Sequence, residues 1–222
     1  LTALVRTLLE MSNLQSVSRT DQIALAPLVE EILTDLTPLA QKNNISLQQD
    51  CEELGMVGSD ALIYRLVFNL VENGIKYNRP GGAVRVTLRQ ERQNAVLRVA
   101  DTGPGIPEQH MRQIYDEFHR YQQPFDWGER GLGLGLSICQ RISRLLGHRL
   151  DARSRSGRGS MFAITVPRVD SLPAPASRPA AVLAASDSLA GLRVLCVDND
   201  QEILDGMRLL LGRWHAVVIT AN

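Results

Sequence analysis

Three short motifs in a fixed order constrain this chain more than anything else in it. They are Asn69-Leu-Val-Glu-Asn73-Gly-Ile-Lys76-Tyr77, then Asp101-Thr-Gly103-Pro-Gly105-Ile106, then Gly131-Leu-Gly133-Leu134-Gly135-Leu136. A single GxGxG is more often a turn or a helix-packing feature than a ligand site. Three such motifs require more. Whatever unit these residues build must bring a helix face, a strand end and a glycine loop to one place.

The first motif reads as helix. Ser59 or Asp60 is the expected N-cap, and Leu62, Leu66, Leu70 and Val71 follow close to helical period. Asn69, Asn73 and Lys76 are spaced i, i+4, i+7 and share a face. Asn is a poor residue for a helix interior, so two of them on one stripe need a reason. Two amide oxygens can complete the shell of a Mg²⁺ ion that otherwise keeps waters and phosphate oxygens. Lys76 adds a cation for phosphates, and Tyr77 a wall. An ordinary solvated helix face is the competing reading.

The second motif ends a strand. Val84, Val86 and Leu88 alternate with Arg85, Thr87 and Arg89, and Ala95, Leu97 and Val99 do the same beyond Gln93-Asn94. That pattern predicts a hairpin with one buried face, ending at Asp101. An ionised carboxylate only accepts hydrogen bonds. Adenine offers an exocyclic amine where guanine offers an acceptor. Asp101 therefore selects adenine, through a charge-assisted bond of roughly 1.5–3 kcal/mol. Gly103 and Gly105 permit close backbone approach. The third motif opens a helix marked by Leu136, Ile138, Ile142, Leu145 and Leu146. Glycines leading into a helix N-terminus make an anion site, because free N–H groups and the dipole point at the ligand. The three motifs together read as an ATP site.

These residues resemble the catalytic and ATP-binding domain of sensor histidine kinases, the Bergerat-type ATPase fold. Asn69 and Asn73 match the asparagine box, Asp101 to Ile106 the first glycine box, and Gly131 to Leu136 the second. Tyr115 and Phe118 match the phenylalanine box, with Tyr115 where Phe is more usual. The likeness covers about residues 24 to 167. It implies an α+β fold, a two-layer α/β sandwich. It also implies an ATP-binding set of Asn69, Asn73, Lys76, Tyr77, Asp101, Gly103, Gly105, Ile106, Arg120, Arg130, Gly131, Gly133, Leu134 and Gly135. Of these, Asn69, Asn73 and Lys76 would be catalytic, and Asn73 and Asn69 would hold Mg²⁺. Residues 120–130 fall where this family carries its ATP lid, and their composition reads as loop independently. Related gyrase and mismatch-repair ATPases place a Glu base at the position of Asn69. Asn cannot be that base, which favours phosphoryl transfer to a protein over hydrolysis.

The rest of the chain sets the context. Among its 222 residues, 24 basic and 24 acidic side chains cancel, so charge gives no argument for nucleic acid or for an anionic membrane. Cys51, Cys139 and Cys196 show no CxxC spacing, as expected in a reducing, cytoplasmic setting. No apolar run reaches transmembrane length, so no membrane contact by this piece is expected. Residues 1–19 resemble the end of the dimerisation hairpin of such kinases. The resemblance implies that residues 20–168 are the catalytic domain, with a helix expected over 27–42 that Pro38 should kink or shorten. Strands are expected at Ile23-Ala-Leu25 and Ile45-Ser-Leu47, and a closing hairpin around Ser156-Gly-Arg-Gly. Residues 169–190 are Pro/Ala-rich and read as a linker. From 191 to 222 an apolar strand, Leu192 to Val197, runs into Asp198-Asn199-Asp200 and then a helix and a second strand. This start resembles a flavodoxin-like receiver domain, whose acids hold Mg²⁺. Asp198 matches the first acid, Asn199 departs from the second, and Asp200 stands one place later.

Kinase domain, linker and receiver start in this order resemble a hybrid histidine kinase in a two-component phosphorelay. The implied partners are its own dimerisation and phosphoacceptor domain, as a homodimer, and a receiver in cis or a response regulator. None of His110, His119, His148 and His215 has the phosphoacceptor context, so that histidine is expected upstream of Leu1 and the piece should not phosphorylate itself. The two competing functions are an ATPase of the same fold and a degenerate kinase serving as a scaffold.

Overall fold

The computed structural model describes residues 20–116, 133–169, 192–197 and 217–221, with Arg208 and Leu211. The chain divides into two units, Leu1–Pro175 and Ala176–Asn222. In the first, strand β1 (Asp21–Ala24) leads directly into helix α1 (Leu25–Lys42). Strands β2 (Ser46–Cys51) and β3 (Gly55–Gly58) follow, then helix α2 (Asp60–Lys76) and the hairpin β4 (Ala83–Glu91) and β5 (Asn94–Asp101). Helix α3 (Gly135–Leu146) and the hairpin β6 (Arg149–Arg155) and β7 (Gly159–Pro167) complete it.

The main sheet has the order β2-β4-β5-β7-β6. Only the β2–β4 pair is parallel; the other three pairs are antiparallel. Its alternating residues Val84, Val86, Leu88, Leu97, Val99, Phe162, Ile164 and Val166 join one apolar cluster with Leu28, Ile32, Leu66, Leu70, Ile138 and Ile142 of the helices. The period of two on the strands and of 3.6 on the helices thus builds two layers around one core. The opposite face of the sheet carries ion pairs such as Arg89 with Asp50 and Arg98 with Glu91, exposed enough to add little stability.

Helix α2 runs through the middle, packed against both α1 and α3. Ser59 caps it, accepting from the Leu62 N–H at 3.4 Å, and Asp21 accepts from the Asp60 N–H at 3.2 Å. Gly74 sits inside this helix, where glycine costs about 1 kcal/mol relative to Ala. A Cβ there would stand 3.1 Å from Val84 Cγ2 and 3.7 Å from Asp101 Cβ. The glycine is what lets the end of α2 lie close on β4 and β5.

Three features differ from the sequence expectations. Helix α1 begins at Leu25 rather than at residue 27, and it runs unbroken past Pro38 to Lys42. Pro38 lies on the exposed side, where water can serve the carbonyl that its missing N–H leaves free. The second of the early strands begins at Ser46 and continues to Cys51. Strand β3 has no strong β signature (Gly-Met-Val-Gly) and is held by pairing with β1, from Asp21↔Gly58 to Ala24↔Gly55. On its other side Gly55 bridges Val169, whose N–H donates to the Gly55 carbonyl at 3.0 Å.

In the second unit, β8 (Arg193–Val197) and β9 (Val217–Ala221) pair in parallel, from Arg193↔Val217 to Val197↔Ala221. Cys196 and the helical residue Leu211 are buried, while Leu192, Leu195, Val217 and Ile219 are exposed. The expected dimerisation-helix end at 1–19, the linker over 170–190, and Asp198, Asn199 and Asp200 lie outside the described residues. Among the described residues no helix is long and apolar enough to cross a membrane.

Candidate functional site

The polar stripe of α2 grades from buried to open. Asn69 is buried, Asn73 and Lys76 are half-buried, and Tyr77, the C-cap, is half exposed. Lys76 pairs with Glu72 at 2.9 Å, one turn back on its own helix. The Nδ2 of Asn69 is buried with no hydrogen-bond partner, a costly state for an amide. Cys139 of α3 lies beside it. The Cys139 thiol donates to the Leu66 carbonyl at 3.5 Å, and burial pushes it up to about 12 against the opposing pulls of the Arg65 charge and, after it, the Asn69 side chain.

One turn along, Asn73 meets the start of α3. A Cβ on Gly135 would stand 3.2 Å from Asn73 Nδ2 and 3.4 Å from its Oδ1. Asn73 and Asn69 thus face Gly135 and Cys139 as the two helices run antiparallel. The N-terminus of α3 has no side-chain cap and no acid in its first turn. Its first N–H groups and dipole are left for an anion. Gly133 holds a φ of +72°, a conformation that favours glycine, and Leu134 is buried behind it.

Asp101 closes the third side. Its Oδ1 accepts from the Gly103 N–H at 2.8 Å and from the Ser160 N–H at 3.2 Å. Burial nevertheless raises its carboxyl above the usual range, with those bonds to Gly103 and Ser160 pulling the other way. Gly103 is packed so tightly that a Cβ would lie 2.6 Å from the Tyr77 carbonyl oxygen. Gly105, at a φ of +70°, passes against the Arg155 carbonyl, and the Ile106 N–H donates to Ser154 Oγ at 2.7 Å. The fold therefore brings Asn73, Gly135, Asp101, Gly103, Gly105 and Ile106 to one region, with Asn69 behind it. Arg120, Arg130, Gly131 and Phe118 lie outside the described residues. Tyr115 is described: its phenol oxygen is buried without a partner, and burial pushes it up to about 12, with Cys139 and Asp151 adding to the rise.

Two contributors escaped the sequence reading. Ser160 supplies a backbone donor to Asp101 from 59 residues away, and Ser154 joins Ile106, the Gly159 carbonyl and Ser160 Oγ. Both sit in the closing hairpin. The only available signal was that this hairpin must return beside β5, since nothing local distinguishes these serines from turn residues.

Residues 58–170 match the family described as histidine kinase-, DNA gyrase B- and HSP90-like ATPase. The chain belongs to this family. Among curated relatives of this ATPase domain, the adaptive-response sensory kinase SasA of Crocosphaera subtropica is 34% identical over 149 residues, which are 66% of this chain and 38% of that kinase. The chain thus spans about two fifths of that relative's length. Among solved structures, the catalytic domain of histidine kinase ThkA is 25% identical with a TM-score of 0.59, over 68% of this chain and 99% of that domain. Full-length ShkA, in complex with AMPPNP, aligns at a TM-score of 0.58 and 20% identity over 93% of this chain and 41% of its own, a likeness of fold.

Proposed function

We propose that this chain is the ATP-binding catalytic part of a protein-histidine kinase. It would hand the γ-phosphoryl group of ATP to an imidazole nitrogen on the dimerisation domain of its parent protein. The observation that carries this reading is the junction of Asn73 with Gly135. An amide on one helix is set against the uncapped N-terminus of another, and Asp101 lies beside Gly74, the next residue along the first helix. In the reaction, the bond from the γ-phosphorus to the bridging oxygen breaks as one forms to the imidazole, and ADP leaves. Little covalent chemistry falls to the protein, so positioning and electrostatics carry the rate. Asp101 accepts from the adenine amine. The N–H groups opening α3 face the phosphates, and Lys76 reaches them on leaving Glu72. Asn69 offers no carboxylate to activate water, which keeps the site from running as a hydrolase.

Mg²⁺ fits this donor set. The Asn73 oxygen is a hard ligand that faces the uncapped start of α3, 3.4 Å from where a Cβ on Gly135 would stand, and the Asn69 side-chain oxygen would be the second ligand; bound there, the ion would neutralise phosphate oxygens. We read residues 191–222 as the start of a receiver domain. Parallel pairing of consecutive strands supports this, since such strands need a crossover between them. The phosphoryl group would then pass to this receiver or to a separate response regulator, in the cytoplasm.

The deciding experiment is calorimetric titration of Mg·ATP against Mg·GTP, followed by phosphotransfer to a supplied dimerisation hairpin bearing the acceptor histidine. ATP should bind well above GTP, and Asp101→Asn should cost about 1–3 kcal/mol of ATP affinity. Asn73→Ala should abolish transfer and leave the fold intact. Equal affinity for the two nucleotides, or unimpaired transfer by Asn73→Ala, would sink the reading.

A further inference from the structure

Asn78 follows the first motif and belongs to none of the three, yet it is 3% exposed. Its side chain makes four hydrogen bonds. Nδ2 donates to the Gly74 carbonyl and to the Ala83 carbonyl, each at 3.0 Å, and Oδ1 accepts from the Arg79 N–H at 3.0 Å and from Thr102 Oγ1 at 3.3 Å. Thr102 in turn accepts from the Ala83 N–H at 2.9 Å, and the Thr102 N–H donates to the Ala83 carbonyl at 3.1 Å. An Asn amide has two donors and an accepting oxygen, and here every one of them is used. This differs from Asn69, whose Nδ2 is buried without a partner.

The four bonds have a common geometry. Gly74 is the neighbour of Asn73, at the phosphate end of the site. Thr102 is the neighbour of Asp101, at the base end. Ala83 opens β4, between them. Gly82 is glycine because a Cβ would fall onto Asn78 Oδ1 and 2.8 Å from Thr102 Oγ1. The backbone has been cleared to admit this one side chain.

We infer that Asn78 is a positioning residue that fixes the distance between the adenine-selecting carboxylate and the asparagine of the phosphate end. This rests on the proposed ATP site. Asn78 touches no reacting atom. It acts through Gly74 on the frame of Asn73 and through Thr102 on the frame of Asp101. A nucleotide that uses both ends therefore depends on it more than one that uses the phosphate end alone. ATP belongs to the first class, and GTP, with an acceptor facing Asp101, to the second.

The test compares Asn78→Ala, Thr102→Val and Thr102→Ser with the wild-type chain in calorimetric titrations of Mg·ATP and Mg·GTP. Thr102→Val keeps the shape and all of the Asn78 bonds to backbone, so it remains informative if Asn78→Ala does not fold. ATP affinity should fall at least tenfold in Thr102→Val, GTP affinity should change less than threefold, and Thr102→Ser should restore ATP binding to within threefold. A loss of stability alone lowers both nucleotides together and does not change their ratio. An unchanged ATP:GTP ratio in Thr102→Val, or failure of Thr102→Ser to restore it, overturns the inference. A wild-type chain that does not prefer ATP overturns the ATP site itself and this inference with it, and that failure is recognisable because it precedes any substitution.

Discussion

Gly157 and Gly159 stand two residues apart in the last hairpin, and the structure separates them sharply. Both have positive φ, +79° and +102°. A Cβ added at Gly157 meets nothing within 4 Å. Gly157→Ala should therefore cost only the left-handed backbone penalty, about 1–2 kcal/mol. At Gly159 the φ is further from the left-handed well, in territory used almost solely by glycine, and that alone costs on the order of 1–3 kcal/mol. The added Cβ would also fall inside the Asp101 carbonyl oxygen, 2.9 Å from the Asp101 carbonyl carbon and 3.1 Å from Thr102 Cα. Comfortable carbon–carbon contact is about 3.5–4.0 Å, so backbone must yield by roughly half an ångström or more. Overpacking of that kind adds about 1–3 kcal/mol. The sum for Gly159→Ala is about 2–6 kcal/mol, with Asp101 displaced. Urea unfolding followed by far-ultraviolet circular dichroism measures the stability, and Mg·ATP titration measures the site. Gly157→Ala should bind ATP as the wild type does, and Gly159→Ala should bind it at least tenfold more weakly. Equal costs for the two, or normal ATP binding by Gly159→Ala, would refute the claim that the hairpin is seated directly on the adenine end.

Two further outcomes follow from the same structure. Because burial raises the Asp101 carboxyl, ATP affinity should begin to fall on acidification above the usual Asp range near ~3.9. The raised value means that the folded state holds the proton more tightly, so this group favours folding at low pH and loses that contribution as pH rises through its folded pKa. Affinity and this share of stability therefore move in opposite directions, and Asp101→Asn should flatten the affinity curve; an identical curve in that variant removes Asp101 from the base end. In the second unit, exposed Leu195, Val217 and Ile219 leave one face of a parallel pair bare, whereas parallel sheets are normally covered on both. Amides of Val194 to Val197 should exchange much faster than those of Val96 to Val99, and equal protection would show that the two strands are already a finished fold.

How far the sequence reading reached depended on the range of the interactions. Ser59 capping α2, the spacing of Leu62, Leu66 and Leu70, and the alternation Val84-Val86-Leu88 are local signals, and the elements stand where those signals put them. The convergence of the asparagine helix with Asp101 and Gly135 was legible because the three motifs carry unusual residues in order. Strand β3 was not legible, since its pairing with β1 joins residues more than thirty positions apart through backbone groups that any sequence possesses. Helix α1 passed Pro38 because exposure, a tertiary property, made the lost bond cheap. Asn78 looked like a loop residue after Tyr77 until Gly74, Ala83 and Thr102 closed around it. Ser160 reached Asp101 only through the register of β5 against β7.

The bonds around Gly55 have a consequence for modularity. Gly55 pairs with Ala24 on one side and with Val169 on the other, so the first and last described segments of this unit are two strand spacings apart, about 10 Å. A body whose entry and exit segments lie this close can be spliced into a longer polypeptide without separating what lies before it from what lies after. Gly55, held by backbone pairing on both of its edges, is the clasp between those two segments.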